Sequence, residues 1–273
     1  MSFQKILFKT LDTLLPSFVA RKVYKVMSNP RVHKLRDFEE KILDKSKKEI
    51  IDFKNFKIQT YTWGKESDKV IFLIHGWEGQ AGNFGALIDI LLEKGYYIKA
   101  FDGPSHGKSS KGSTSMFTFA ELVEVLLKKY KPTTIISHSF GSVTSMFALS
   151  KNPNIPIGKW LLVTTPHNFK SRVEDIKNLV GVTNRTMDRV VEMIETDTGV
   201  SIDLLNVEHY GGKVKHVKEI LIVHSKSDKI IPIESSRITN KNIPHSKLVE
   251  LDNLGHYSIL WSDELKEIVA KEL

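Results

Sequence analysis

Thr133-Thr134-Ile135-Ile136-Ser137-His138-Ser139-Phe140-Gly141-Ser142-Val143 is the stretch on which the reading of this chain turns. An apolar run enters it, a turn of small residues follows, and helix-forming residues continue to Leu149. A strand–turn–helix of this kind holds one serine on a sharp, strained turn with its hydroxyl exposed for covalent chemistry. Here that residue is Ser139. The residues two before and two after it must be small, because the turn brings their backbones together. Gly141 meets that demand fully; Ser137 stands where glycine is usual and meets it approximately. Glycine at 137 is therefore expected to be tolerated, and a bulky side chain such as leucine to abolish function.

A serine hydroxyl is a poor nucleophile until a base takes its proton and a third group orients the base. Both partners follow downstream in the order Ser, Asp, His. Asp228 lies just past the apolar run Ile220–Val223, and His256 lies in Leu254-Gly255-His256-Tyr257, before a terminal helical pattern. Glu250 and Asp252 remain alternative orienting acids, although the order of elements favours Asp228. His138, inside the turn, reads as a packed neighbour and not as the base.

Working outward, strand and helix patterns alternate. Residues 49–53 and 56–63 form an opening antiparallel pair, and the nearly continuous apolar run 69–74 reads as a strand buried on both faces. Helix 87–93, strand 96–101, helix 117–130, strand 133–137, helix 140–150 and strand 159–164 follow. Strand 219–224, a helix near 233–240, strand 247–251 and helix 262–272 complete the series. Such alternation implies an α/β fold with a mostly parallel central sheet flanked by helices. Residues 167–216 break the alternation with helical periodicity alone and read as a small helical cap inserted into a domain spanning 49–273.

Residues 1–48 read as a basic helical N-terminal extension. Phe3, Ile6, Leu7, Thr10, Leu11 and Leu14 have helical spacing, as do Phe18, Val19, Lys22, Val23, Val26 and Met27, and 31–48 suggests a third, charged helix. The chain carries a net charge of +8. Nine Lys and three Arg against three Asp and two Glu give the extension +7 of it. A basic groove for nucleic acid in the main domain is therefore not expected. Basic amphipathic helices bind anionic membrane surfaces, but packing on the main domain with lysines turned to water is the preferred expectation. The oligomeric state is not legible.

There is no cysteine among the 273 residues, which excludes disulfides and thiolate chemistry and permits a reducing compartment. Lys9, Asp12 and Pro16 interrupt the apolar residues near the start, so a cytoplasmic location is expected. Gly107-Lys108-Ser109 does not complete a phosphate loop, since Gly103 lies four positions before Gly107 where five are needed. His75, His106, His138, His167, His224 and His256 show no metal-binding spacing, and no metal or cofactor is expected.

Taken in order, His75-Gly76-Trp77-Glu78-Gly79, Asp102-Gly103-Pro104-Ser105-His106-Gly107-Lys108-Ser109, Ser137–Gly141, Asp228 and His256 resemble the α/β-hydrolase superfamily. They particularly resemble bacterial serine hydrolases with an His-Gly-Trp-Glu-Gly stretch. The resemblance covers residues 50–273 and implies that the amides of Trp77 and Phe140 form an oxyanion hole. It further implies that His75, Gly76, Asp102 and His106 support the site loops, as Ser137 and Gly141 support the turn. The implied activity is hydrolysis of a small or medium acyl ester through Ser139, His256 and Asp228. Peptidase, amidase, thioesterase and acyltransferase activities use the same machinery, and a non-catalytic, membrane-associated binding protein is the alternative from another class.

Overall fold

Short apolar runs bounded by turn residues become the strands, and the helices lie between them. The computed structural model describes residues 10–273. Two helices come first, α1 (Pro16–Met27) and α2 (Asp37–Asp44), followed by the strands β1 (Lys47–Phe53) and β2 (Phe56–Trp63). Then come β3 (Val70–Ile74), α3 (Gly85–Glu93), β4 (Tyr97–Phe101), α4 (Met116–Tyr130), β5 (Thr134–His138), α5 (Phe140–Lys151) and β6 (Ile157–Val163). The next segment holds α6 (Phe169–Val180), α7 (Asn184–Thr198) and the single turn α8 (Val207–Tyr210). After it come β7 (Val217–Ser225), α9 (Ile233–Asn242), β8 (Ser246–Leu251) and α10 (Asp263–Glu272).

The eight strands form one sheet in the order β1-β2-β4-β3-β5-β6-β7-β8. β1, β2 and β4 pair antiparallel, whereas all pairings from β4 through β3 to β8 are parallel. Alternate residues of a strand face opposite sides, and β3 shows the consequence. Ile71 and Leu73 join a core with Ile42 and Leu43 of α2, Leu87 and Leu91 of α3, and Leu265 and Val269 of α10. Phe72 and Ile74 join the other core, with Phe119, Leu122 and Leu126 of α4 and Met146 and Leu149 of α5. Each such side chain, fully buried, contributes roughly 1.5–3 kcal/mol. β3 and β5 are buried at every residue, which fixes the tips of these two central strands as the rigid base of the site.

A third cluster joins α1 to the 167–216 segment. Val19, Ala20 and Val23 meet Val173 of α6 and Met187, Val190 and Ile194 of α7. Buried Asp12 accepts from the Thr183 amide at 2.7 Å, tying the segment before α1 to the start of α7. The base of the inserted segment is clamped by Phe169 N–H to Leu205 O and Val207 N–H to His167 O, both 2.8 Å. The outward face of this region leaves Leu14, Leu15, Phe18 and Val26 exposed beside Arg21, Lys22 and Lys25.

The charged helix expected over 31–48 is shorter in the structure. Residues 29–36 are not helical, and the helix begins only where Glu39 reaches back 2.7 Å to the Arg36 amide. Its far end is cut by the sheet, because Lys47 already pairs with Thr62. Most of the helix expected from Phe3 to Leu14 lies outside the described residues. Among the described residues no helix is long and apolar enough to cross a membrane.

Candidate active site

Ser139 joins β5 to α5 with φ 52° and ψ −121°, a conformation that costs a non-glycine residue about 1–3 kcal/mol. Its neighbours hold it there. The Ser139 amide donates to Val163 O at 2.9 Å, and its carbonyl accepts from the Ser142 amide at 2.9 Å. A β carbon at Gly141 would stand 2.4 Å from Ile74 O and 2.6 Å from His75 O, so only glycine lets α5 start against the end of β3. Ser137 is fully buried, and its hydroxyl accepts from Trp160 Nε1 at 2.8 Å and contacts Ser142 Oγ at 2.9 Å.

The tips of β5, β7 and β8 bring the distant residues together. His256 Nε2 lies 2.9 Å from Ser139 Oγ, and its Nδ1 lies 2.7 Å from Asp228 Oδ2. The tautomer that donates from Nδ1 leaves Nε2 free to accept the serine proton. Asp228 Oδ1 accepts from the Ile230 and Ile231 amides at 2.8 and 3.0 Å. Burial opposes ionisation of this carboxyl, but its hydrogen bonds to His224 and His256 outweigh burial and hold it well below the usual carboxylate range. His224, fully buried on β7, places Nε2 3.3 Å from Asp228 Oδ2 and 3.1 Å from Ile231 O. Ser236 Oγ lies 2.7 Å from its Nδ1. The alternative acids lie elsewhere: Glu250 pairs with Arg237 at 2.7 and 2.8 Å, and Asp252 with Lys226 at 2.8 Å.

His138 packs its ring 4.8 Å from that of His256 and donates from Nε2 to His256 O at 2.9 Å. Burial, and next the neighbouring His256, push it down to about 3, so it is neutral at pH 7. It can therefore brace His256 without adding a second charge. His75 donates from Nδ1 to Gly76 O at 2.7 Å and accepts at Nε2 from the Gly103 amide at 2.8 Å, joining the loops after β3 and β4. Burial lowers its pKa, in keeping with a neutral ring that accepts. Asp102 organises the second loop, accepting from Ala81 N–H at 2.8 Å, Tyr61 O–H at 2.9 Å and Lys108 N–H at 2.8 Å. Gly107 (φ 43°) has no room for a side chain, since its β carbon would lie 2.2 Å from Asp102 Oδ2. His106 donates from Nδ1 to Pro104 O at 2.9 Å, and burial holds it well below the usual histidine range.

The loop after β3 runs beside the serine: a β carbon placed at Gly76 would lie 3.2 Å from that of Ser139. Among the described residues neither the Trp77 nor the Phe140 amide has a protein acceptor. The next residue, Glu78, takes φ 58° and is gripped by Arg31 through its amide (3.1 Å), Nε (2.9 Å) and Nη2 (2.8 Å). Burial opposes ionisation of Glu78, but the Arg31 hydrogen bonds prevail and lower its pKa. A cavity of about 290 Å³ opens at Ser139 and His256, between the sheet tips and the inserted helices. Met116, Val143, Phe169 and Ile194 are among its lining residues.

A family model described as the alpha/beta hydrolase fold matches residues 69–193. A structure of an esterase from Pyrococcus furiosus superposes with a TM-score of 0.65 at 20% identity, covering 89% of this chain and 97% of that one. The chain has the α/β-hydrolase fold. Among curated relatives, a serine hydrolase-like protein of Homo sapiens is 28% identical over 142 residues, 50% of this chain and 68% of that protein. An uncharacterized hydrolase of Bacillus subtilis, YugF, is 22% identical over 248 residues, 75% of this chain and 88% of YugF.

Three features of this site lay beyond sequence reasoning. His224 stood out only as one of several histidines, and nothing in its spacing told that it would face Asp228. Arg31 and Glu78 are 47 positions apart. The bond from Trp160 to Ser137 depends on the register of β6 against β5, in which Ser137 lies opposite Leu162. Among the described residues no group of three His, Cys, Asp or Glu side chains could hold a metal ion.

Proposed function

We propose that this α/β-hydrolase is a serine carboxylesterase that cleaves esters of small or medium acyl groups. The observation that carries the reading is the continuous line of hydrogen bonds from Ser139 Oγ through His256 to Asp228, at 2.9 and 2.7 Å, opening on the cavity. Ser139 Oγ attacks the ester carbonyl carbon while its proton passes to His256 Nε2. Asp228 stabilises the imidazolium that results. The carbonyl oxygen becomes an oxyanion facing the Trp77 and Phe140 amides, each such donor being worth about 3 kcal/mol. Collapse breaks the carbon–oxygen bond, and the leaving alcohol takes the proton from His256. Water then gives a proton to His256 and attacks the acyl-enzyme. The carboxylic acid departs as that proton returns to Ser139.

No cofactor is required by this chemistry. Esters are preferred to amides and thioesters in the proposal because esterases recur among the similar structures, including the Pyrococcus furiosus enzyme. The uninterrupted Ser139–His256–Asp228 line favours catalysis over a purely binding role. We also propose that the basic N-terminal segment serves the site by packing, and that the cysteine-free chain works in the cytoplasm. A panel of short aryl esters, assayed with wild type and Ser139→Ala, tests the activity. Turnover should vanish in the variant, as should labelling by a serine-directed phosphonate. Wild-type protein with neither turnover nor labelling would overturn the proposal.

A further inference from the structure

The wall of the cavity contains residues that neither the strand tips nor the inserted helices supply. Tyr24, Met27 and Ser28, at the end of α1, line it together with Trp77, Ser139 and His256. They do so because α1 lies along α7, with Val19, Ala20 and Val23 buried in their common core. Tyr24 is further fixed by a hydrogen bond from its hydroxyl to Asp197 of α7, and the Ser28 carbonyl accepts from the Thr114 amide at 2.8 Å. The end of α1 is thus pinned on two sides, to the inserted segment and to the loop before α4. Met27, half-buried between these anchors, projects no charge and has the flexible thioether that fits irregular apolar space.

The lining around it is mainly apolar: Met116, Phe117, Val143, Phe169, Ile176 and Ile194 contribute side chains with nothing to donate or accept. Among the described residues, the charged side chains Glu78 and Arg172 that line the cavity already have ion-pair partners. Glu78 is paired with Arg31 at 2.8 Å, and Arg172 donates to Asp175 at 2.7 Å and to Ile230 O at 3.0 Å. A charged substrate group entering here would lose water and have to compete with ion pairs already formed, a net cost. A hydrocarbon chain loses nothing and leaves water, a gain that grows with each methylene buried. A volume of about 290 Å³ holds roughly nine or ten water-sized groups at ~30 Å³ each. That is an acyl group of about eight carbons together with its two ester oxygens.

We infer that the cavity binds an uncharged, medium-length acyl chain and that Met27 and Tyr24 of α1 form the wall that sets its length. The inference rests on the esterase reading above and deepens it. It makes the N-terminal helix a specificity element of the site.

The test is the ratio of kcat/KM for 4-nitrophenyl decanoate to that for the butyrate, measured on wild type, Met27→Trp and Met27→Ala. Being a ratio within one sample, it does not depend on how much of each variant folds. Wild type should peak near eight carbons. Met27→Trp, which fills the cavity, should lower the ratio at least tenfold, and Met27→Ala should raise it. A ratio unmoved within twofold in both variants overturns the wall while the hydrolase reading stands. So does a wild-type optimum at acetate with steady decline thereafter. A second measurement needs no turnover: calorimetric binding of the uncharged amides butanamide, octanamide and dodecanamide to Ser139→Ala, with and without Met27→Trp. Preferential octanamide binding, lost on Met27→Trp, supports the acyl wall even if the protein hydrolyses no ester. Equal or absent binding of all three amides overturns it.

Discussion

Ser137 occupies a position where the turn asks only for something small, yet its hydroxyl has acquired partners. It accepts from the indole N–H of Trp160 and touches Ser142, with no access to water. Ser137→Gly should therefore keep Ser139-dependent ester hydrolysis while leaving the Trp160 donor buried and unpaired, a loss of about 1–3 kcal/mol. Denaturant unfolding of the variant beside wild type reads this directly, and unchanged stability would show that the bond contributes nothing. Gly141 permits no such latitude. Gly141→Ala should abolish activity, because the added methyl meets the carbonyls of Ile74 and His75 at 2.4 and 2.6 Å. Recovery of folded, fully active Gly141→Ala would contradict that close approach.

At the scale of elements, the segment between α1 and α2 grips the loop that follows β3. Arg31 holds Glu78 by three hydrogen bonds, Gln80 Nε2 donates to His33 O at 3.0 Å, and Asn83 donates to Glu39 of α2 at 3.0 Å. Trp77, whose amide faces the reaction in our proposal, directly precedes Glu78. Arg31→Ala should consequently lower kcat several-fold with a smaller change in KM, since the substrate cavity keeps its wall but the loop loses its anchor. Arg31→Lys should restore little, because a single ammonium cannot reproduce the bidentate grip. Steady-state kinetics on a short aryl ester would measure both, and equal loss through KM alone would place Arg31 in substrate binding instead.

Over the whole molecule, buried histidines couple stability to pH. His138 titrates near 6.5 when unfolded and at about 3 when folded. Between those values only the unfolded chain binds the proton. Its contribution is therefore complete above pH 6.5 and is lost as pH falls toward 3, at up to about 1.4 kcal/mol per pH unit. His75 and His106, also lowered by burial, act in the same direction. Asp228, lowered as well, loses its contribution only below the unfolded carboxylate value of about 3.9. Urea unfolding at pH 7, 5.5 and 4.5 should show a falling midpoint for wild type. His138→Gln, which keeps a donor for the His256 carbonyl, should show a shallower fall. An identical pH slope in the two proteins would refute the assignment.

The alternating strands and helices, the turn at Ser139 and the order Ser139, Asp228, His256 were all legible in the chain, because period, turn chemistry and residue order are local properties. The strand ends shifted by only a few residues, as with β5, read as 133–137 and found at Thr134–His138. The extension was legible as helical and basic, but not as a wall of the cavity: amphipathic spacing tells which face is buried and not what buries it. The same holds for Ser137 and Trp160, for Arg31 and Glu78, and for His224 beside Asp228. Sequence alone settled the sheet, the turn at Ser139 and the candidates for that serine's partners. Tertiary structure alone decided which side chains meet across the sheet tips and what closes the cavity, because such contacts depend on register and on the packing of elements far apart in the chain.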